Sequence, residues 1–86
     1  MTYTEFHELV DKYHFNIGNR FRYTNLCSDN DEQIVGHDVY RGLLICKSIE
    51  EEEYFNHDIQ DVADDIRRNA AFHWVQIDEN RKDVKL

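Results

Sequence analysis

The spacing of the apolar residues changes near residue 20 from a helical period to a strand period, and this change restricts the chain to a mixed α+β fold. Before this point, one helical face carries Phe6, Leu9, Val10 and Tyr13. Thr2 and Glu5 match a capping box at the start of that segment, with Thr4 as a competing N-cap, and Gly18 provides a stop signal after it. We therefore predict a first helix over about residues 3–15.

After residue 20, apolar and polar residues alternate as they do in strands. One face of the first predicted strand carries Phe21, Tyr23, Asn25 and Cys27. The pattern then predicts a turn, a short strand, a second turn and a central strand, over residues 28–32, 33–35, 36–38 and 39–46. A helix capped by Asn30 and Gln33 is the alternative within residues 31–46. Gly36 and Gly42 argue against it, because each costs about 1 kcal/mol relative to alanine in a helix.

A second helix is predicted to end near residue 70, with two alternative starts. Ser48 and Glu51 match a capping box that would start it at about residue 49, and Asn56 is a second possible cap that would start it at about residue 57. The apolar face of this helix carries Phe55, Ile59, Val62, Ala63, Ile66 and Ala70. Residues 72–77 then predict a strand, and the charged residues 78–86 predict a frayed tail.

The predicted element order is therefore α-β-β-β-α-β, in a single domain that spans residues 1–86. We expect an α+β fold in which an antiparallel sheet carries both helices on one face. The residues expected to fill the core between the sheet and the helices include Phe21, Tyr23, Phe72 and Trp74.

The excess negative charge is concentrated in one segment. The chain has 18 acidic and 10 basic residues, which gives a net charge of -8. Eight of the acids lie within residues 50–65, where lysine and arginine are absent, and the other ten acids balance the ten bases. These eight candidate partner-binding residues are Glu50, Glu51, Glu52, Glu53, Asp58, Asp61, Asp64 and Asp65. On a helix, Asp58, Asp61 and Asp65 would lie within about 60° of one another, with Asp64 to one side.

A row of carboxylates on a helix can imitate a row of phosphates. We therefore expect a small acidic binding protein that inhibits or modulates a nucleic-acid-binding protein or a nuclease through this face. Its partner would be a basic protein surface. Direct binding of nucleic acid is not expected, because the basic stripe typical of such proteins is absent and the net charge is negative. The simpler interpretation is that the acids only solvate an exposed helix face.

In its composition, the chain resembles the small inhibitor and anti-defence proteins that phages make against host nucleases or nucleic-acid machinery. The shared features are small size, acidity, the lack of proline and the lack of sequence motifs. This resemblance implies an inhibitory binding function. It involves no motif, so no residue role is carried over from it.

Enzymatic and metal-dependent functions receive no support from the motifs. Nucleotide-binding loops, the nucleophile elbow and the zinc-protease motif are absent from the sequence. Cys27 and Cys46 lack the paired spacing of a zinc site and are expected to be buried in strands. His7, Asp11 and His14 lie on one side of the first helix, but the two histidines are separated by about 10 Å along its axis. We therefore expect no catalysis, no cofactor and no metal.

Two other functions stay open. One is a structural or assembly module that acts through dimerisation, through a sheet edge or through an apolar patch around Phe72 and Trp74. The other is a small regulator that binds a metal or metabolite with His7, His14 or the acids.

The sequence also indicates a compartment. Residues 1–5 have neither the basic nor the apolar region of a signal peptide, and no apolar run approaches the length of a membrane span. We therefore expect a cytoplasmic protein with reduced thiols that does not bind membranes. A Cys27–Cys46 disulfide would be possible only in a secreted chain.

Overall fold

The computed structural model describes residues 1–24, 29–68 and 73–77. Its elements in chain order are α1 (Tyr3–Tyr13), β1 (Arg20–Thr24), β2 (Asp29–Asp38), β3 (Leu43–Ser48), β4 (Tyr54–Asp58), α2 (Ile59–Arg68) and β5 (His73–Ile77). The five strands form one antiparallel sheet in the order β4-β3-β2-β1-β5. The predicted α+β class is therefore confirmed, with one strand more than the sequence analysis expected.

The helix predicted over about residues 3–15 is confirmed as α1, including its capping box. The Glu5 backbone N–H donates to Thr2 Oγ1 (3.1 Å), and the Thr2 backbone N–H donates to Glu5 Oε1 (3.0 Å), which completes the capping box. The helix ends with His14 as its C-cap, before the stop signal at Gly18. His14 takes the left-handed conformation with φ 63°, and the Phe15 N–H then bonds to the Val10 carbonyl. This reversal places Phe15, which is fully buried, in the core.

Strand β2 replaces the two turns predicted around it. Residues 29–32 were expected to form a turn because they are polar, but they pair with β1 instead. On this exposed face Arg22 donates to Asp31 through Nε (2.8 Å), so the polar side chains serve as cross-strand partners. The strand continues past a bulge between Ile34 and Gly36 into the residues where the second turn was predicted. The chain turns later, over residues 39–42, where Gly42 has φ 71°. The alternative of a helix in this region is wrong.

Strand β4 was missed, and it excludes the earlier of the two predicted starts for α2. Ser48 Oγ accepts the Glu51 N–H (3.4 Å), as in a capping box, but the segment that follows is a loop that joins β3 to β4. The Ser48 N–H also donates to the Glu53 carbonyl (2.7 Å), which closes this loop. The later predicted start, near residue 57, is close to the observed one at Ile59. The N-cap is Asp58, however, and Asn56 lies within β4.

The core lies between one face of the sheet and both helices, as predicted. The sheet contributes Phe21, Ile34, Leu44, Cys46 and Trp74. Phe6 and Val10 come from α1, and Ile59, Val62 and Ala63 come from α2. The expected core positions of Phe21, Tyr23 and Trp74 are confirmed. The predictions for residues 25–28, 69–72 and 78–86, which include Cys27, Phe72 and the tail, lie outside the described residues.

Neither α1 nor α2 is long and apolar enough to cross a membrane, and these are the helices in the part of the chain that the structure describes.

Candidate functional site

The structure separates the acidic segment into two groups at opposite ends of β4. Glu50–Glu53 lie in the exposed loop before this strand and not in the first turn of a helix. Asp58 ends β4, and Asp61, Asp64 and Asp65 lie on α2. A five-residue strand separates its two ends by about 13 Å. The eight acids therefore do not form one continuous row.

Three of the acids border an open groove of about 350 Å³, which we call the aspartate groove. Its walls carry Asp58, Asp61 and Asp65, which are the residues that the sequence analysis placed on one side of the helix. The other lining residues are Tyr23, Asn56, His57, Val62 and Trp74. The groove therefore combines a cluster of negative charge with an aromatic floor.

Asp58 also has a structural role at this site. Its Oδ1 accepts hydrogen bonds from the backbone N–H groups of Gln60 (2.9 Å) and Asp61 (3.2 Å). These bonds satisfy donors in the first turn of α2, where backbone N–H groups lack partners within the helix. An asparagine at this position would retain the cap and remove the charge.

Asp64 differs from its neighbours because it forms ion pairs within its own helix. Its Oδ1 accepts from Arg67 Nη2 at 2.8 Å and from Gln60 Nε2 at 3.2 Å. Arg68 Nη2 lies 3.8 Å from the other carboxylate oxygen. The two arginines neutralise the charge of Asp64 locally. Asp64 lies to one side, as predicted, and does not line the groove.

The floor of the groove is built by pairing of strands that are distant in sequence. Tyr23 and Trp74 lie opposite each other in the β1–β5 pair, and their ring centroids are 4.9 Å apart. The His57 ring lies edge-on to Trp74 at 4.7 Å. Trp74 is only 7% exposed, so it belongs to the core, and Phe72, the other residue named in the assembly hypothesis, lies outside the described residues. Aromatic faces next to carboxylates favour the binding of a cationic group.

A buried polar cluster lies beneath this floor. Glu32 is 3% exposed. Its carboxylate accepts one hydrogen bond from His57 Nε2 at 2.8 Å and a second from the Asn30 amide. Cys46 joins them, and the donor atoms of Glu32, Cys46 and His57 all lie within 4.8 Å of one another. These three are the metal-type ligands that the described residues bring together, and His7 and His14 are not among them. His7 instead packs its ring on Tyr3 at 4.2 Å.

The Cys46 thiol is expected to be unreactive in the folded protein. It is 2% exposed, and burial together with the nearby Glu32 raises its pKa to about 12. At about pH 8 the thiolate fraction would be about one in ten thousand, and the thiolate is the nucleophile. In a Cys27→Ser background with a chelator present, Ellman's reagent should modify Cys46 slowly in buffer and rapidly in urea. Equal rates in the two solvents would contradict the burial of this thiol.

Comparisons of the chain with protein-family models, with curated proteins and with solved structures found no match. The functional interpretation therefore rests on the geometry of the site.

The sequence indicates the carboxylates of the groove but not its aromatic floor. Tyr23 and Trp74 were assigned to the core, which is correct, but nothing in the sequence indicated that they meet beside the aspartates. His57 and Glu32 were not singled out, because an isolated histidine and an acid in a polar run carry no local signal. A buried position for Glu32 would have required knowledge of the β1–β2 register, in which it lies opposite Phe21.

Proposed function

We propose that the protein is a non-enzymatic binding module that docks on a basic protein surface through the aspartate groove. The observation that carries this proposal is the position of Asp58, Asp61 and Asp65 around the aromatic pair of Tyr23 and Trp74. Carboxylates attract a cation, and the partly exposed ring of Tyr23, held in place by Trp74, adds a surface on which a flat cation can stack.

Arginine fits this arrangement better than lysine. The guanidinium group is planar, is weakly hydrated compared with an ammonium group, stacks on aromatic rings and can bond a carboxylate through two N–H groups. The groove offers both kinds of contact within one concave surface. The preferred ligand is therefore an arginine-rich surface.

A nucleic-acid-binding protein or a nuclease is the class of partner that presents such a surface, because these proteins neutralise phosphates with lysine and arginine. Asp61 and Asp65 are separated by about 6 Å along α2, and Asp58 extends the row at the helix start. Occupation of the partner's phosphate-binding residues would block its access to nucleic acid. We propose inhibition or modulation of that kind as the biological role, as in an anti-defence protein, with the acids in place of phosphates.

An octa-arginine peptide tests the groove directly, because Trp74 is the only tryptophan of the chain. Titration should change the Trp74 fluorescence, and octa-lysine should bind more weakly. The affinity should fall at least about tenfold between about 50 mM and 500 mM NaCl, because the contacts are ionic. Peptide binding without a change in fluorescence, or with an affinity that is indifferent to salt, would place the interaction elsewhere and contradict the proposal.

The partner class is tested by competition. A protein captured from an extract at low salt should be released when double-stranded DNA or RNA is added, if the groove occupies its phosphate-binding residues. A partner that binds this protein and nucleic acid at the same time would rule out phosphate imitation.

A further inference from the structure

Three neighbouring strands each contribute one side chain with a potential metal-ligand atom to the same place in the core. Glu32 comes from β2, Cys46 from β3 and His57 from β4, and these strands are adjacent in the sheet. All three side chains point to the helix-covered face, as the pairings of Ile34 with Cys46 and of Leu44 with His57 require. A carboxylate oxygen, a thiol sulfur and an imidazole nitrogen therefore lie within 4.8 Å of one another.

These groups border a small internal cavity of about 10 Å³. The volume corresponds to about one water-sized position. The rest of its lining is apolar and consists of Phe15, Phe21, Ile34, Leu44, Val62 and Trp74. A single ion could be held there by the three polar groups and shielded from bulk water by the surrounding side chains.

The cost of this cluster indicates a role beyond packing. A carboxylate that is 3% exposed in an apolar environment is destabilising unless it is paired, and Glu32 depends on His57 and Asn30 for its partners. Replacement of a buried ion pair by well-packed apolar residues is often neutral or stabilising. Apolar side chains would therefore stabilise this part of the core at least as well as the polar groups do. The combination of sulfur, nitrogen and oxygen is a donor set that suits a transition metal.

We propose that Glu32, Cys46 and His57 bind one divalent transition-metal ion, and that zinc is the best match. Zinc accepts cysteine, histidine and carboxylate ligands in tetrahedral geometry, and three protein ligands leave a fourth position for water or another group. Calcium and magnesium prefer oxygen ligands and are disfavoured by the thiol. This site shares His57 with the lining of the aspartate groove but does not depend on the function proposed for the groove.

Metal binding requires only small movements of the three ligands. Bonds of 2.0–2.3 Å imply that donor atoms in a tetrahedral site are separated by about 3.3–3.8 Å. The Glu32 Oε1–His57 Nε2 contact would open from 2.8 Å, and the other separations, which are within 4.8 Å, would close by up to about 1.5 Å. The ion replaces the proton between Glu32 and His57, which moves to His57 Nδ1 or to solvent. Cys46 binds as the thiolate and releases its proton to solvent.

The aspartate groove and the cavity share a wall. His57, Val62 and Trp74 border both spaces, and the side chain of His57 is 27% exposed. Rotation of the imidazole would connect them. The negative charge of the groove raises the local concentration of cations at this point.

Titration of metal-free protein with Zn²⁺ and with Co²⁺ tests the site. Calorimetry should show one Zn²⁺ per chain. The Co²⁺ complex should show the near-ultraviolet charge-transfer absorption of a cobalt–thiolate bond. Cys46→Ser should remove that absorption, and both Cys46→Ser and His57→Gln should weaken Zn²⁺ binding by more than about 100-fold, since even the loss of a residue that only supports a ligand costs 10–100-fold.

Three control variants locate the ion. Cys27→Ser removes the other thiol, and His7→Gln removes a histidine of α1. The third changes Asp58, Asp61 and Asp65 to asparagine and removes the charge of the groove. All three should retain one Zn²⁺ per chain and the cobalt–thiolate absorption. If the Co²⁺ complex of the unaltered protein lacks the cobalt–thiolate absorption, the proposal is overturned. Loss of this absorption in Cys27→Ser would also overturn the proposal.

Discussion

Asparagine in place of Asp58, Asp61 and Asp65 is expected to weaken binding of octa-arginine by about 10- to 100-fold, at unchanged protein stability. The three carboxylates face one groove, so the substitutions remove its charge together. Asparagine caps a helix as well as aspartate does, so the Asp58→Asn change retains the start of α2. Fluorescence of Trp74 measures the affinity, and urea unfolding checks the stability.

A charge-matched control is available in the same chain. Replacement of Glu50, Glu51 and Glu53 by glutamine removes the same number of charges from the loop before β4, at the opposite end of the strand from the groove. This variant should bind octa-arginine with an affinity within about threefold of the original, because distant exposed charges are screened by salt. Equal losses in the two variants would show that net charge alone drives binding. In that case the aspartate groove would have no specific role.

Trp74→Ala is expected to lower the free energy of unfolding by about 3–5 kcal/mol, because a buried aromatic side chain is lost and a cavity remains. Trp74 is 7% exposed and contacts Tyr23 and His57 through its ring. A loss of this size is a large share of the stability of a small domain. Urea unfolding followed by circular dichroism is the measurement, since the variant has no tryptophan.

Tyr54→Ala is the matched control for this substitution. Tyr54 is also an aromatic residue on a strand, but it is 64% exposed. Its loss should change the free energy of unfolding by no more than about 0.5 kcal/mol. A Trp74→Ala effect as small as that of Tyr54→Ala would mean that Trp74 is a surface residue. The assembly hypothesis, in which Trp74 mediates dimerisation, would then regain support.

The elements that were predicted correctly are those whose signals lie within a short stretch of sequence. The capping box of Thr2 and Glu5 and the helical spacing after it identified α1, and the alternation around Phe21 identified β1. The residue that ends α1 was not identified from the sequence: His14, and not Gly18, adopts the left-handed conformation that is more common for glycine. The backbone conformation of His14 is set by tertiary packing, because it allows the next residue, Phe15, to be buried in the core.

The errors in the sheet arise from polar residues in strands. Asp29–Glu32 have the composition of a turn, yet Asp31 is paired with Arg22 across the β1–β2 pair. Strand β4 follows a run of glutamates, and only Phe55 and His57 of its residues face the helices. Edge strands need few apolar residues because one edge and one face remain open to solvent. Their existence depends on the neighbouring strand more than on their own composition.

The amino-acid pattern alone established the α+β class, the two helices and the concentration of charge in residues 50–65, because capping, periodicity and charge are properties of local sequence. Only the tertiary structure divided that charge into a loop and a groove, joined the groove to Tyr23 and Trp74, and brought Glu32, Cys46 and His57 together. The physical reason is that strand pairing brings together residues that are far apart in the chain. The register of that pairing is set by the burial of one whole sheet face and not by any single segment.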